Sequence, residues 1–330
     1  MDNNKIDFVI TWVDGNDNEW FKQKQQYADK NINNKNNIRY REWDNLQYWF
    51  RGVEQFTPWV NKIHFVTYGH VPKWLNIEHP KVNIVNHKDF IPSKYLPTFS
   101  SRPIELNMHK IKGLAKKFVY FNDDMFIIKK MRKEDFFLKG LPCDSAIFNV
   151  PMSSRGGIGN AVYNNMEIIN DYFNKKDMIR EHKFKIFNYK YKYFNLRSIL
   201  LMPWKFIPGF YDSHIPVSYL KSTFDEVWEK ENILLDRLCY NKFRTKNDVN
   251  HWLFRYWQLA SGTFQPRNVD IGKLYSLTDS NQVIFDEIKN QRRKIICVND
   301  NEKVEDFENQ KKLLNETFNS ILPKKSSFEI

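Results

Sequence analysis

The stretch KFVYFNDDMF, Lys117 to Phe126, runs from core-type residues into two adjacent acids. Phe118, Val119, Tyr120 and Phe121 have the aromatic and branched character of a buried strand, and Asp123 and Asp124 stand where that run stops. Neighbouring carboxylates repel one another and lose hydration at the end of a buried strand, so they need a cation, a basic side chain or open solvent. Two readings compete. Asn and Asp close strand-end turns by hydrogen-bonding their own backbone. Alternatively, a hard divalent cation takes one or two carboxylates together with substrate phosphates, the chemistry of nucleotide-sugar enzymes.

A second candidate is TWVDGND, Thr11 to Asp17, directly after another apolar run. It reads either as a tight turn using Gly15 at positive φ or as a backbone cradle for a nucleotide, with Trp12 close to a base or sugar. It lacks GxGxxG and GxxxxGK[ST], so neither a dinucleotide fold nor a Walker loop is supported. His214, in SHIPVSYL, is a residue type that can act as general base near neutral pH. Arg244, in KFRTKND, can clamp a transferring phosphoryl group with its fork of donors. Nothing in the order of residues brings either one to the acids. KFKIFNYKYKYFNLRS, Lys183 to Ser198, interleaves cations with rings and fits a solvated basic face, an anionic membrane surface, a charged glycan or single-stranded nucleic acid. No nucleic-acid motif accompanies it, and none is expected as partner.

Strands alternating with helices must position these residues. IDFVITWV, Ile6 to Val13, predicts a buried strand, as do NKIHFVTYG, Asn61 to Gly69, and KVNIVNH, Lys81 to His87. Leu46, Trp49, Phe50 and Val53 recur at helical spacing, with Pro58 ending the run. RPIELNMHKIKGLAKK predicts a helix leading into the strand that ends at the acids. This order argues for an α/β fold with a mostly parallel sheet, in which ligands bind beyond the carboxyl ends of the strands. Leu138 to Ser213 is less regular, with a flexible loop expected at SSRGGIGNAVYNN. Helical patterns return in SYLKSTFDEVWEKENILLDRLC and NDVNHWLFRYWQLASG, and RKIICVND predicts a closing strand before a final helix.

With 330 residues the chain can bury a sizeable core, and its net charge of +12 suggests anionic company. Cys143, Cys239 and Cys297 lack paired spacing, which argues against a disulfide framework or a zinc site and for a reducing compartment. No apolar run approaches the roughly 18 residues of a spanning helix, and the amino terminus lacks the pattern of a signal peptide. A cytoplasmic protein is expected, with at most peripheral attachment at the inner face of the membrane.

Taken together the blocks resemble the Stealth family, which includes bacterial capsular-polysaccharide hexose-1-phosphate transferases and the animal N-acetylglucosamine-1-phosphotransferase. The likeness is carried by IDFVITWVDGNDNEW, by the long block from RYREWDNLQYWF to KFVYFNDDMF, by HIPVSYLKSTFDEVWEK through FRTKNDVNHWLFRYWQLASG, and by RKIICVNDN with its closing helix. The family's histidine segment often reads HMP where this chain has HIP, and Leu138 to Ser213 matches no family block. The resemblance implies a sheet like the Rossmann-like nucleotide-binding core of GT-A glycosyltransferases. It implies transfer of a sugar 1-phosphate such as GlcNAc-1-phosphate from a UDP-sugar to a hydroxyl of a glycan acceptor, with release of UMP. Catalysis would fall to Asp123, His214 and Arg244, and the metal, Mg²⁺ or Mn²⁺, to Asp124 and Asp300. Thr11, Trp12, Val13, Asp14, Gly15, Asp17, Arg102 and Asn247 would bind the nucleotide-sugar. One catalytic domain would divide into a nucleotide-binding core at 1–137, a variable insertion at 138–213 for acceptor or membrane, and a helical segment at 214–330 completing the site. The alternatives are a GT-A-type glycosyltransferase releasing UDP and a nucleic-acid-binding module.

Overall fold

In β1 (Ile6–Thr11), successive residues serve opposite faces of the sheet: Phe8 and Ile10 join one core and Val9 another. The computed structural model describes residues 4–28, 41–153, 157–300 and 304–330. After β1 come α1 (Asn18–Tyr27), α2 (Leu46–Phe56), β2 (Ile63–Thr67), β3 (Val82–Asn86), α3 (Ser101–Asn107), β4 (Lys117–Asn122) and β5 (Met125–Ile127). Two short strands, β6 (Phe137–Leu138) and β7 (Leu141–Asp144), precede three helices, α4 (Gly159–Tyr172), α5 (Lys175–Ile186) and α6 (Phe194–Leu200). Then follow β8 (Val217–Leu220), α7 (Lys221–Lys230), α8 (Asn232–Cys239), α9 (Trp252–Ala260), β9 (Gln265–Pro266), β10 (Gly272–Ser276), α10 (Gln282–Lys289), β11 (Ile295–Asn299) and α11 (Phe307–Ile321).

The central sheet has the order β3-β2-β1-β4-β8, parallel except for its last strand, so the fold is α/β with a mostly parallel sheet. Its register pairs Thr11 with Asn122, which sets the loops TWVDGND and NDD side by side at the carboxyl edge. Both faces are covered. Phe8, Ile10, Val119 and Phe121 pack with Trp49, Phe50 and Val53 of α2, while Val9, Phe118 and Tyr120 pack with residues of α7 and α9.

Four expectations change. KFVYFNDDMF is two strands: β4 ends at Asn122, the acids form a turn, and β5 departs to pair antiparallel with β11 in a second sheet, β10-β11-β5. The helix expected from Arg102 onward stops at Asn107, passes through one 3₁₀ turn and reverses at Gly113, where φ is +79°. VSYL is a strand rather than the start of a helix, because β4 offers it an open edge; Lys117 pairs with Leu220 and Tyr120 with Val217. The irregular middle is largely helical, and α4 already begins at Gly159 within the expected loop. Residues 154–156 of that loop lie outside the described residues.

The second sheet is held tightly against the first layer. Gly52, in the middle of α2, faces the Ile127 carbonyl so closely that an added Cβ would lie 2.5 Å from that oxygen. A glycine inside a helix costs up to about 1 kcal/mol relative to alanine, here offset by the approach it permits. That approach fixes β5, and with it the turn carrying the acids.

Candidate active site

At the carboxyl edge of β1 the Thr11 hydroxyl lies 3.1 Å from the Tyr120 hydroxyl on β4. The Trp12 indole donates to Glu42 at 3.4 Å and meets the His70 ring edge-on. Val13, Asp14 and Gly15 are half-buried in the loop beyond. Gly15 is not among the described residues with positive φ; the turn is closed by Asp14, whose carboxylate accepts from the Asn16 amide at 2.8 Å. The Asp14 amide donates to His70 Nε2 at 2.8 Å, which leaves that loop tied to the end of β2. Asp17 caps α1 by accepting from the Trp20 amide, and its other oxygen lies 3.5 Å from His70 Nδ1. A cavity of about 830 Å³ opens beside this loop, lined in part by Gly15, Asn16, Trp20, Arg41, Glu42 and Phe307.

The acids sit one strand over. Asp123 reaches solvent, yet crowding by the surrounding protein, then Asp124 and then Glu42, push its carboxyl up to about 7. Asp124 points inward. Burial raises its pKa too, and the charge of His214 opposes that rise. Its Oδ1 is buried without a hydrogen-bond partner, a state that costs about 1–3 kcal/mol when nothing occupies the oxygen. One ligand atom each from Asp124, His214 and Cys297 lies within 4.8 Å of the other two. The Cys297 thiol stands well above its ordinary pKa, because of burial first and Asp124 second, so it faces the carboxylate as a protonated donor. The Val298 amide donates to the Asp124 carbonyl at 2.9 Å and locks the turn to β11.

His214 arrives from the segment before β8 with φ at +49°, a region that non-glycine residues enter only under constraint. Asp212 supplies the constraint, accepting from the His214 amide at 3.0 Å, with its second oxygen 3.9 Å from His214 Nδ1. The segment is anchored by Arg255 of α9, which donates to the Tyr211 carbonyl at 3.0 Å and grips Asp144 through two bonds of 2.7 and 2.9 Å. Burial alone would raise the Asp144 pKa, but Arg255 holds it low. These residues fit a divalent cation: an orphaned carboxylate oxygen and an imidazole converge, the Cys297 thiol lies within reach of both, and a second carboxylate, Asp123, is adjacent in the turn.

A basic group surrounds Glu105. Arg244, in the loop between α8 and α9, donates to the Ser101 hydroxyl at 3.0 Å at the start of α3, and its charge reaches Glu105. Arg102 is buried, 3.2 Å from Glu105, with its Nε buried and without a hydrogen-bond partner. His251 connects the two groups. Its amide donates to Glu105 at 3.3 Å, its ring lies 2.8 Å from the Tyr219 hydroxyl, and burial pushes its pKa down to about 4 despite Glu105. Tyr120 in turn feels the charges of Glu105, Asp123 and Arg102. Asn247 is exposed in the same loop as Arg244.

The structure thus unites Asp124 and His214 with Cys297, leaves Asp123 beside Asp124 in the turn, groups Arg244 with Arg102 around Glu105, and keeps Thr11 to Asp17 at the end of the neighbouring strand. Asp300 is engaged elsewhere. Arg41 donates to both its oxygens, at 2.9 and 2.5 Å, and the Trp43 indole donates at 2.9 Å, so it lies outside the Asp124 cluster of donors. His70, Glu42, Glu105 and His251 went unread in the sequence, and Cys297 was read only as a cysteine without paired spacing. His70 stood at the carboxyl end of a predicted strand, where strand-end rules could have found it. Cys297 gave no such signal, because its partners come from distant segments.

Family models match three parts of the chain: Stealth protein CR1, conserved region 1, over residues 4–32; CR2, conserved region 2, over 39–143; and CR4, conserved region 4, over 286–330. A capsular polysaccharide phosphotransferase, WcwK, of Streptococcus pneumoniae is 47% identical over 330 residues, covering 98% of each chain. An exopolysaccharide phosphotransferase, cps2G, of Lactiplantibacillus plantarum is 40% identical over 98% of this chain and 96% of its own. A receptor polysaccharide phosphotransferase, WefC, of Streptococcus oralis is 40% identical over 99% of this chain and 100% of its own. Among solved structures, mouse xyloside xylosyltransferase 1 in its apo form aligns over 89% of this chain and 97% of its own, at 12% identity and a TM-score of 0.36.

Proposed function

The chain belongs to the Stealth protein family, and on that premise we propose that it is a transferase of phosphate-containing groups in surface-polysaccharide synthesis, using a UDP-sugar as donor. A hydroxyl of a glycan acceptor attacks the β-phosphorus, the bond from that phosphorus to the oxygen bridging the α-phosphate breaks, and UMP leaves. The sugar 1-phosphate remains on the acceptor as a phosphodiester. The observation that carries this reading is the convergence of Asp124, His214 and Cys297 next to Asp123, at the carboxyl end of β4.

In phosphoryl transfer most of the catalytic effect is positioning and charge neutralisation. A Mg²⁺ or Mn²⁺ ion held by Asp124 and its neighbours supplies part of that neutralisation when bound. Arg244 is assigned to the phosphoryl oxygens, where its planar fork matches their geometry, and Arg102 with Asn247 to the donor. The loop from Thr11 to Asp17 is assigned to the nucleotide, with Trp12 as a platform for base or sugar. The proton of the acceptor hydroxyl goes to His214 or to Asp123, whose raised pKa makes it a competent base near neutrality.

The test is the identity of the released nucleotide. Purified protein, a panel of UDP-sugars, a divalent cation and a glycan acceptor are expected to yield UMP in step with acceptor modification. Release of UDP would instead mark attack at the anomeric carbon, and the assignment would pass to a glycosyltransferase.

A further inference from the structure

Helix α6 is built inside out. Its buried contact is polar: Ser198 is fully buried, and its hydroxyl accepts from the Phe148 amide at 3.0 Å. Leu196, Ile199 and Leu200, spaced to share one helical face, point to solvent, with Leu196 63% and Leu200 77% exposed. A helix that merely covers the core does the reverse. The anomaly extends in both directions. Nine of the twenty exposed large apolar side chains among the described residues lie between Phe184 and Phe206, with Phe184 at 78% and Trp204 at 52%.

The charge in this stretch is of one sign. From His182 to Tyr211 the sequence holds six Lys and Arg and no Asp or Glu. Lys192 pairs with Asp270 from another segment, and Lys185 and Lys190 donate to the carbonyls of Gly262 and Pro266, which leaves their charges in place. Lys183 and Lys205 lie over the rings of Phe184 and Phe206 at 5.0 and 5.1 Å, so cations flank the exposed rings at both ends. The exposed loop is also rigidly held. Lys175, itself buried, donates to the carbonyls of Leu201, Met202 and Trp204 at 2.6, 3.2 and 2.8 Å, which satisfies the end of α6 and fixes the segment that follows.

We propose that the surface from Phe184 to Phe206 docks on an anionic lipid bilayer. Apolar side chains enter the boundary of headgroups and acyl chains, Tyr and Trp sit at headgroup level, and Lys and Arg meet the lipid phosphates. A second copy of the chain fits less well, because it would bring the same cations to the same face. A bilayer is the extended, anionic and apolar partner that answers both properties at once. The site already described needs no such surface, so this proposal stands or falls independently of donor and product.

Vesicle flotation at low salt tests it, with phosphatidylcholine vesicles set against vesicles containing phosphatidylglycerol. The protein is expected to float with the anionic vesicles alone and to be released by high salt. Lys183→Gln with Lys205→Gln is expected to weaken binding about 30-fold, from roughly 1 kcal/mol for each of the two cations lost. Leu196→Gln with Leu200→Gln, at positions largely exposed to solvent, is expected to abolish flotation while circular dichroism and melting temperature stay unchanged. Equal binding to both vesicle types, or none to either, would overturn the proposal. So would a dimer that the leucine variant dissociates, which makes the face a contact between copies, or binding to single-stranded RNA that outcompetes the vesicles.

Discussion

Asp124 and His214 meet beyond one end of the central sheet: the acid follows β4 in the turn after Asn122, and the histidine stands just before β8, the edge strand that pairs antiparallel with β4. The acid's Oδ1 is buried and lacks a hydrogen-bond partner, and the histidine is held in a left-handed conformation by Asp212. Both features cost stability, and they cost it at one point. Strain and unmet polarity concentrated in this way mark a place built for something other than folding.

The orphaned oxygen gives the first expectation. A chelator is expected to abolish transfer, with Mg²⁺ or Mn²⁺ restoring it, and either ion is expected to raise the melting temperature of the protein itself. In Asp124→Asn the thermal shift on adding the ion disappears and activity falls about 100-fold or more, as for loss of a metal ligand or its close support. Full turnover in excess chelator would remove the metal from the mechanism.

Asp123 and three buried histidines pull the pH dependence of stability in opposite directions. A carboxyl raised to about 7 stabilises the fold below its ordinary pKa near 3.8, and that contribution is lost as pH rises toward 7. His87, His109 and His251 are held neutral, at about 4, 3 and 4, chiefly by burial, so their contribution is present above pH 6.5 and lost as pH falls toward 4. Each buried histidine weighs about 1.4 kcal/mol per unit of its shift, whereas solvent screens Asp123. Net destabilisation on acidification below pH 6.5 is therefore expected in denaturant titrations. Asp123→Asn is expected to stabilise the protein at pH 7 by on the order of 1 kcal/mol after that screening, while transfer is lost.

His214→Gln separates proton transfer from hydrogen bonding. If the imidazole takes the acceptor's proton, the glutamine variant is expected to lose at least about 100-fold in kcat with UDP-sugar affinity kept. Near-normal turnover would move the role of base to Asp123.

Arg244→Lys preserves charge but removes the fork. Turnover is expected to fall by about 10- to 100-fold, with a smaller change in UDP-sugar affinity, because the fork acts on charge that develops in the transition state. A loss confined to KM would instead make Arg244 a ground-state donor contact.

Gly52→Ala tests how the acids are positioned. The added Cβ meets the Ile127 carbonyl, and backbone on both sides resists the shift. A loss of about 1–3 kcal/mol in unfolding free energy is expected, the usual cost of overpacking. Since β5 follows the acid turn directly, metal affinity is expected to fall with stability.

The sequence by itself determined the α/β class, the strands β1 to β4, the helix packed over them and the position of the acids at a strand end. These are local properties: strand and helix periods are written in adjacent residues, and a buried run that stops at two acids can be read without knowing its neighbours. Even within that range the reading failed where a partner decides the outcome. VSYL became a strand because β4 had an open edge, and MFI left the central sheet because β11 was there to pair with it. The site was legible as separate residue types and not as a constellation. Cys297 looked only like a cysteine without paired spacing, and only the pairing of β11 with β5 sets it beside Asp124. Asp300 looked like a metal ligand, and only the fold gives it Arg41 and Trp43. A side chain's chemistry is local, but its charge state, its partners and its access to a ligand depend on desolvation and contact among segments far apart in the chain, and those exist only once the sheets have closed.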